Sequence, residues 1–295
     1  MRWLACAVLG YCAAVPAAPD PRLAAAVPGI ETLIGASGAD VAVAFRTLDG
    51  RSEWLRNADE SFHAASTMKV PVLIELYRQV HAGRVRLDDT LLIKNEFHSL
   101  ADGSLYTLKP EDDSEQDLYG AAGQTRTLAQ LDELMITVSS NLATNLLMQK
   151  LGVDNIRAGV HALGADGMQV LRGVEDGKAF ERGMNNTTTA RALLILMQSI
   201  AEGRAVDAGC SRAMVAVLEG QTFNDRIPAG LPPGTRVAHK TGEITKIQHD
   251  AAIVYAARPF VLVVLTRGIE DPTQSATLTA EITRRLYKAT QSASH

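Results

Sequence analysis

Apolar residues follow two different periods along this chain, and the two kinds of segment are segregated. Residues 41–47 form a run rich in valine and alanine, Asp49-Gly50 is a turn signal, and residues 52–56 continue as a second strand, so the spacing predicts an early hairpin. From Ser66 onward the period changes. Val72, Leu73, Leu76, Tyr77 and Val80 recur at near-helical spacing, with Pro71 acceptable in a first turn and Gly83 as the stop. Residues 95–126 are acidic and turn-rich and read as a long surface loop of the kind that shapes binding sites. Thr127-Leu128-Ala129-Gln130 then starts a helix with a capping box, carrying Leu128, Leu131, Leu134, Met135 and Val138 into Ser139-Ser140-Asn141. Further helices follow. One carries Leu142, Leu146, Leu147 and Leu151 up to Gly152, and another starts near Thr187-Thr188-Thr189 with Leu193, Leu194, Met197 and Ile200.

After Gly203 the pattern reverts. A short helix over 211–218 and a turn-rich stretch over 228–234 precede strands at 236–240, 251–257 and 260–266, the last two joined at Arg258-Pro259. Leu278, Ile282 and Leu286 give a final helix one apolar face. Strands at both ends with helices between them predict an α/β fold: a sheet built from both chain ends, flanked by helices, with an inserted all-α domain. The boundaries fall at 18–60 with 204–295 for the α/β part and 61–203 for the helical part.

Composition narrows the function. The chain has 295 residues, 46% of them apolar, enough for a large core. Its 29 basic and 33 acidic residues give a net charge of −4, with no dense Lys/Arg cluster, so nucleic acid and anionic membranes are not expected partners. A small-molecule or peptide substrate and a monomer are expected. Met1-Arg2, the apolar run 3–15 and Val15-Pro16-Ala17 read as a cleaved export signal over 1–17, which places the protein in the periplasm or outside the cell. Lipoprotein processing at Cys12 is the alternative, disfavoured by the bulky Tyr11 before it. Cleavage removes Cys6 and Cys12 and leaves Cys210 alone, so no intrachain disulfide is expected.

The chemistry concentrates at Ala65-Ser66-Thr67-Met68-Lys69. A helical turn brings residues i and i+3 to one face, so Lys69 can reach the Ser66 hydroxyl, and unpaired N–H groups at a helix start suit a forming oxyanion and lower the pKa of a nearby ammonium. A neutral lysine can then take the serine proton. His63, His81, His98, His161, His239 and His249 lack metal-binding spacing, and no phosphate or cofactor motif is present, so no metal and no cofactor are expected.

Ser66-x-x-Lys69, then Ser139-Ser140-Asn141, then Lys240-Thr241-Gly242 resemble the three ordered motifs of class A β-lactamases and penicillin-binding enzymes. Ala65, Asn145-Leu146-Leu147 and Thr187-Thr188 look like the same pattern, so the resemblance covers nearly all of the chain after the signal. It implies a β-lactamase/transpeptidase-like fold and acyl transfer from a strained amide. Ser66 would attack, with Lys69 as base or acting with a water held by another carboxylate. Ser139 would pass a proton to the leaving nitrogen, and Asn141 would hold the substrate's side-chain amide. Lys240 and Thr241 would meet the substrate carboxylate, while Gly242 lets substrate lie against the strand. The backbone N–H groups of Ser66 and Glu243 would form the oxyanion hole, and Arg226 would grip the carboxylate.

The departures from that family pattern bear on the reaction. Glu175 stands three residues after Arg172 rather than two, and Ala179 replaces the water-holding asparagine. Glu175 is still the expected deacylating base, with Asp176 and Glu181 as competitors. Asn186 replaces an aspartate before the paired threonines, Ser140 replaces the aspartate of the second motif, and Glu243 brings a carboxyl to the substrate's carboxylate site. The sequence therefore reads as an exported serine β-lactamase. A D-Ala peptidase or esterase relative, or a β-lactam-binding protein that stays acylated, is the alternative.

Overall fold

The computed structural model describes residues 20–291, so the export signal and Cys6 and Cys12 lie outside the described residues. Strands β1 (Asp40–Thr47), β2 (Glu53–Arg56), β3 (Arg236–Ile244), β4 (Ile247–Tyr255) and β5 (Phe260–Arg267) form one antiparallel sheet in the order β2-β1-β5-β4-β3. The two chain ends meet where β1 pairs with β5, Val43 opposite Val264. This is the sheet predicted from the sequence.

Strand periodicity explains why the strands read as continuous apolar runs. Val41, Val43, Phe45, Phe260, Leu262 and Val264 enter one core, while Ala42, Ala44, Val261, Val263 and Leu265 enter the other. Both faces are buried, so alternate residues are apolar on both sides. The first face is covered by α1 (Pro21–Ser37), through Ile30 and Ile34, and by the C-terminal helix, through Leu278, Ile282 and Leu286. The second face meets the helical part of the chain.

That part is organised around α2 (Lys69–His81), which is buried almost all round, from Val70 through Leu73, Ile74 and Leu76 to Gln79. A helix apolar on every side belongs inside other elements. Helices α3 (Leu128–Thr137), α4 (Asn141–Leu151), α5 (Val153–Ala162), α6 (Ala190–Ala201) and α7 (Ala208–Glu219) complete the layer, and α8 (Pro272–Gln291) closes the chain. The capping box before α3 is present, the Thr127 side chain accepting from the Gln130 N–H and the Gln130 side chain from that of Thr127.

Several boundaries differ from the sequence-based expectation, each for a local reason. Helix α1 was not legible because alanines and an internal Pro28 dilute its apolar stripe; Asp20 caps it through the N–H groups of Arg22 and Leu23. Strand β4 starts at Ile247 rather than residue 251, since Gln248, His249 and Asp250 look like a polar loop yet are buried. The helix expected from Ser66 begins at Lys69, after a tight 3-10 turn over Ala65–Met68. The 95–126 loop has structure of its own, with Phe97–His98 paired to Leu105–Tyr106 and short turns at Pro110–Asp112 and Asp117–Gly120.

One buried acid sits in this core without a catalytic task. Asp132 on α3 is 1% exposed, one of its oxygens has no partner, and burial pushes its pKa up to about 8. A carboxyl raised in the folded state favours folding only while it stays protonated, so its contribution falls as pH rises from about 4 toward 8. Asp132→Asn removes that dependence. The variant is expected to match the parent near pH 4 and to be more stable by a few kcal/mol at pH 8; thermal melting across this range checks it, and a pH-independent difference contradicts the account.

Candidate active site

The site forms where the turn before α2, the start of α4, strand β3 and the 172–186 loop converge. Ser66 lies in the Ala65–Met68 turn, half-buried on the wall of a cleft. Its position is set from outside the turn. Ala65 takes a left-handed φ of 45°, held by an N–H donated to His63 Nδ1 at 3.1 Å, and the Ala64 N–H donates to the Asn186 carbonyl at 2.9 Å. Phe62–His63 pairs with Thr187–Thr188, so the paired threonines anchor the turn that carries Ser66. Gly242 on β3 is required by close approach. A Cβ there would lie 3.0 Å from the backbone nitrogens of both Ser66 and Thr67.

Lys69 is fully buried, and its ammonium donates to the Ser139 carbonyl at 2.6 Å, the Ser139 Oγ at 3.1 Å and the Asn141 Oδ1 at 2.9 Å. Burial brings its pKa down to about 7, partly opposed by the charges of Asp113 and Glu175. The expected hydrogen bond from Lys69 to the Ser66 hydroxyl is not made among the described residues; the three donors are committed to the second motif instead. Lys240, also fully buried, donates to Ser139 Oγ at 3.0 Å and to the Thr241 carbonyl at 2.9 Å, and burial and then the Lys69 charge push its pKa well down. Ser139, at φ 61°, thus accepts from two ammoniums, which leaves its own proton free to be donated into the cleft.

Asn141 bridges Lys69 and Glu175. Its Oδ1 accepts from Lys69, and its Nδ2 donates to Glu175 Oε1. Burial raises the Glu175 pKa, opposed by the Asn141 hydrogen bond. Its two competitors are placed differently. Asp176 is buried and saturated, accepting from Ser99 Oγ at 2.7 Å, the Leu100 N–H at 2.8 Å and the Ala179 N–H at 3.1 Å, while Glu181 is exposed. The loop that carries Glu175 is pinned without the missing aspartate. Asn186 Oδ1 accepts from the N–H groups of Leu171 and Arg172, and its Nδ2 donates to the Arg172 carbonyl. Asn145 does the same at Val174, with N–H to Oδ1 at 2.8 Å and Nδ2 to the carbonyl at 3.0 Å. A side chain at Gly173 would collide with Asn145 and Tyr106.

Arg226 is 4% exposed and aims at the cleft, but its guanidinium is held by Glu243 and by the His249 carbonyl. Glu243, half-exposed, therefore already fills a carboxylate position on Arg226. The cleft of about 710 Å³ runs from Ser66 past Asn141 and Glu175 to the apolar side chains of Phe180, Ile244 and Ile247. Ala179, in place of a water-holding amide, is buried.

Sequence reading missed two residues of the site. His63 lines the cleft and holds the Ser66 turn. Asp113, inside the acidic loop, touches the start of α4; nothing in a run of acids marks one of them as buried. Metal-ligating atoms come together at one place among the described residues: His81, Asp207 and Cys210, at the end of α2 remote from Lys69, have ligand atoms within 4.8 Å of one another. Asp207 is already the cap of α7 there, and His81 Nδ1 lies 2.7 Å from its other oxygen.

A serine, a fully buried lysine one turn on, and two further hydroxyl- and amide-bearing motifs thus converge at one site. The chain belongs to the beta-lactamase enzyme family, whose model matches residues 26–290. It is similar to a beta-lactamase of Streptomyces albus G, 30% identical over 259 residues, covering 85% of this chain and 80% of that protein. Its fold matches a beta-lactamase structure from Sphaerobacter thermophilus DSM 20745 with a TM-score of 0.76, 29% identity and coverage of 91% and 97% of the two chains. It also matches a point mutant of PBP-A, seen as an acyl-enzyme complex with penicillin G, with a TM-score of 0.77, 25% identity and coverage of 93% and 98%. Family membership supports hydrolysis of β-lactams. No helix among the described residues is long and apolar enough to cross a membrane.

The Arg226–Glu243 pair has a measurable consequence. Glu243→Gln releases the guanidinium and removes a like charge, so KM for carboxylate-bearing β-lactams is expected to fall several-fold with kcat little changed. Steady-state kinetics checks this, and an unchanged KM places the substrate carboxylate elsewhere.

Proposed function

We propose that this protein is an exported class A-type serine β-lactamase that opens the β-lactam amide through a Ser66 acyl-enzyme cleared by water. The observation that carries the reading is the Asn141 amide joining Lys69 to Glu175, in a cleft that Ser66, Asn141 and Glu175 line together. A lysine with a pKa of about 7 is neutral in a large fraction at neutral pH and can accept the Ser66 proton, directly or through a water shared with Glu175. The N–H groups of Ser66 and Glu243 would receive the oxyanion. Ser139, accepting from Lys69 and Lys240, would give its proton to the departing nitrogen and be reprotonated through Lys69. Lys240 and Thr241 would meet the substrate carboxylate, with Arg226 behind Glu243, and Asn141 would turn its amide toward the substrate's side chain. Glu175, raised by burial, would take a proton from the water that attacks the acyl-enzyme. Acylation needs neutral Lys69, so its rate should rise with pH through about 7.

The second reading, a protein that stays acylated, is favoured by the buried Ala179, which offers an incoming water no hydrogen bond, and by the similarity to PBP-A. Intact-protein mass over time after mixing with a penicillin separates the two. An adduct that appears and disappears as product accumulates supports the β-lactamase; one that persists supports the binder. Ser66→Ala should give no adduct, and an adduct of the same mass would remove Ser66 as nucleophile. Glu175→Gln should acylate normally and release product at least ~100-fold more slowly, whereas an unchanged release rate moves the deacylating base elsewhere.

A further inference from the structure

Ser140 opens α4 with a neutral hydroxyl, yet a carboxylate from elsewhere stands at the same helix start. Asp113 comes from the acidic loop and is 5% exposed. Its Oδ2 accepts from the N–H groups of Asn141 and Leu142, each at 2.9 Å, from Tyr119 OH at 2.9 Å and from Ser140 Oγ at 3.4 Å, and its Oδ1 accepts from the Glu115 N–H at 3.1 Å. Two of these donors are the first amides of α4, which no intrahelical carbonyl can satisfy. Ser140 itself turns its hydroxyl inward to cap the Ala143 N–H at 3.2 Å. The helix start therefore has two caps, one local and neutral, one borrowed and negatively charged.

We propose that Asp113 is a positioning residue for the reaction: it supplies from the 95–126 loop a carboxylate at the head of α4, and so fixes Ser139 and Asn141 against Lys69. This rests on the acylation reading above. Asp113 does not touch substrate; it acts through the Asn141 backbone, and the Asn141 side chain connects Lys69 and Glu175. Its charge also reaches the base. Lys69 is faced by Asp113 and Glu175, which favour its protonated form against burial, and the fully buried Lys240 shares its Ser139 partner. Removing the Asp113 charge should let Lys69 lose its proton at lower pH. The loop thereby acquires a task, since its Pro110–Asp112 turn and Asp117–Gly120 helix present Asp113 and Tyr119 to the site.

The test uses four proteins: the parent, Asp113→Asn, Ser140→Asp, and the double variant. Acylation by a penicillin, its pH profile, the melting temperature and amide exchange at Asn141 and Leu142 are read in each. Asp113→Asn is expected to slow acylation of the folded protein by ~100-fold, as small misplacements of reacting groups do, to move the acidic limb of the profile to lower pH, and to expose the two amides to exchange. The double variant should recover at least ~10-fold of the rate and the protection of both amides, because a carboxylate returned at Ser140 lies within reach of the same helix start. A lower melting temperature with unchanged acylation of the folded protein, or a folded double variant without recovery, overturns the proposal. Amide exchange reports the anchoring even if the parent takes no acyl group, so failure of the acylation reading is distinguishable from failure of this one.

Discussion

A fully buried ammonium at the head of an apolar helix is the constraint on which the rest of this molecule depends. Lys69 opens α2, whose remaining residues are packed on nearly every side, so the charge has no route to water. Such a group persists only when hydrogen-bonded and balanced by opposite charge, or when it gives up its proton. The structure supplies both kinds of relief in part. Three acceptors surround Nζ, two carboxylates stand behind them, and the residual penalty leaves the amine near neutrality at neutral pH. The same burial that costs the fold stability favours the neutral amine.

Meeting that constraint recruits distant parts of the chain. The Ser139 carbonyl and hydroxyl reach Lys69 only because Ser139 adopts a left-handed φ, and Glu175 reaches Asn141 from another left-handed residue at φ 59°. Backbone strain of this kind persists where surroundings over-determine it. Here the surroundings are amides. Asn145 and Asn186 each clamp the backbone over 171–174 by paired neutral hydrogen bonds.

Most of this architecture was legible in the sequence, and the exceptions share a cause. The sheet, the central helices and the three motifs announce themselves by period and order. The polar strand start at Gln248, His249 and Asp250 did not, because each is buried with partners contributed from elsewhere: the Ile227 N–H to Asp250, the His63 carbonyl to His249. Asp113 was hidden among acids, and the direct Lys69–Ser66 bond was expected from helical spacing, whereas the Lys69 donors go to Ser139 and Asn141. Glu175 was already preferred to Asp176 and Glu181 in the sequence, but the different burial and contacts of the three are not carried by a single sequence. Local pattern is visible in a chain; tertiary satisfaction of polar groups is not.

The clasp at Asp176 ties together two segments that are far apart in sequence. Ser99 and Leu100 donate to it, Arg182 donates to the Ala101 carbonyl at 2.6 Å, and Lys178 reaches Asp102 and Ser104. The 95–126 and 172–186 segments are therefore bound to each other by several hydrogen bonds. A chimaera that took either segment alone from a relative would leave the other's donors and acceptors facing side chains that cannot answer them, so recombination in this lineage is expected to exchange the two together or neither.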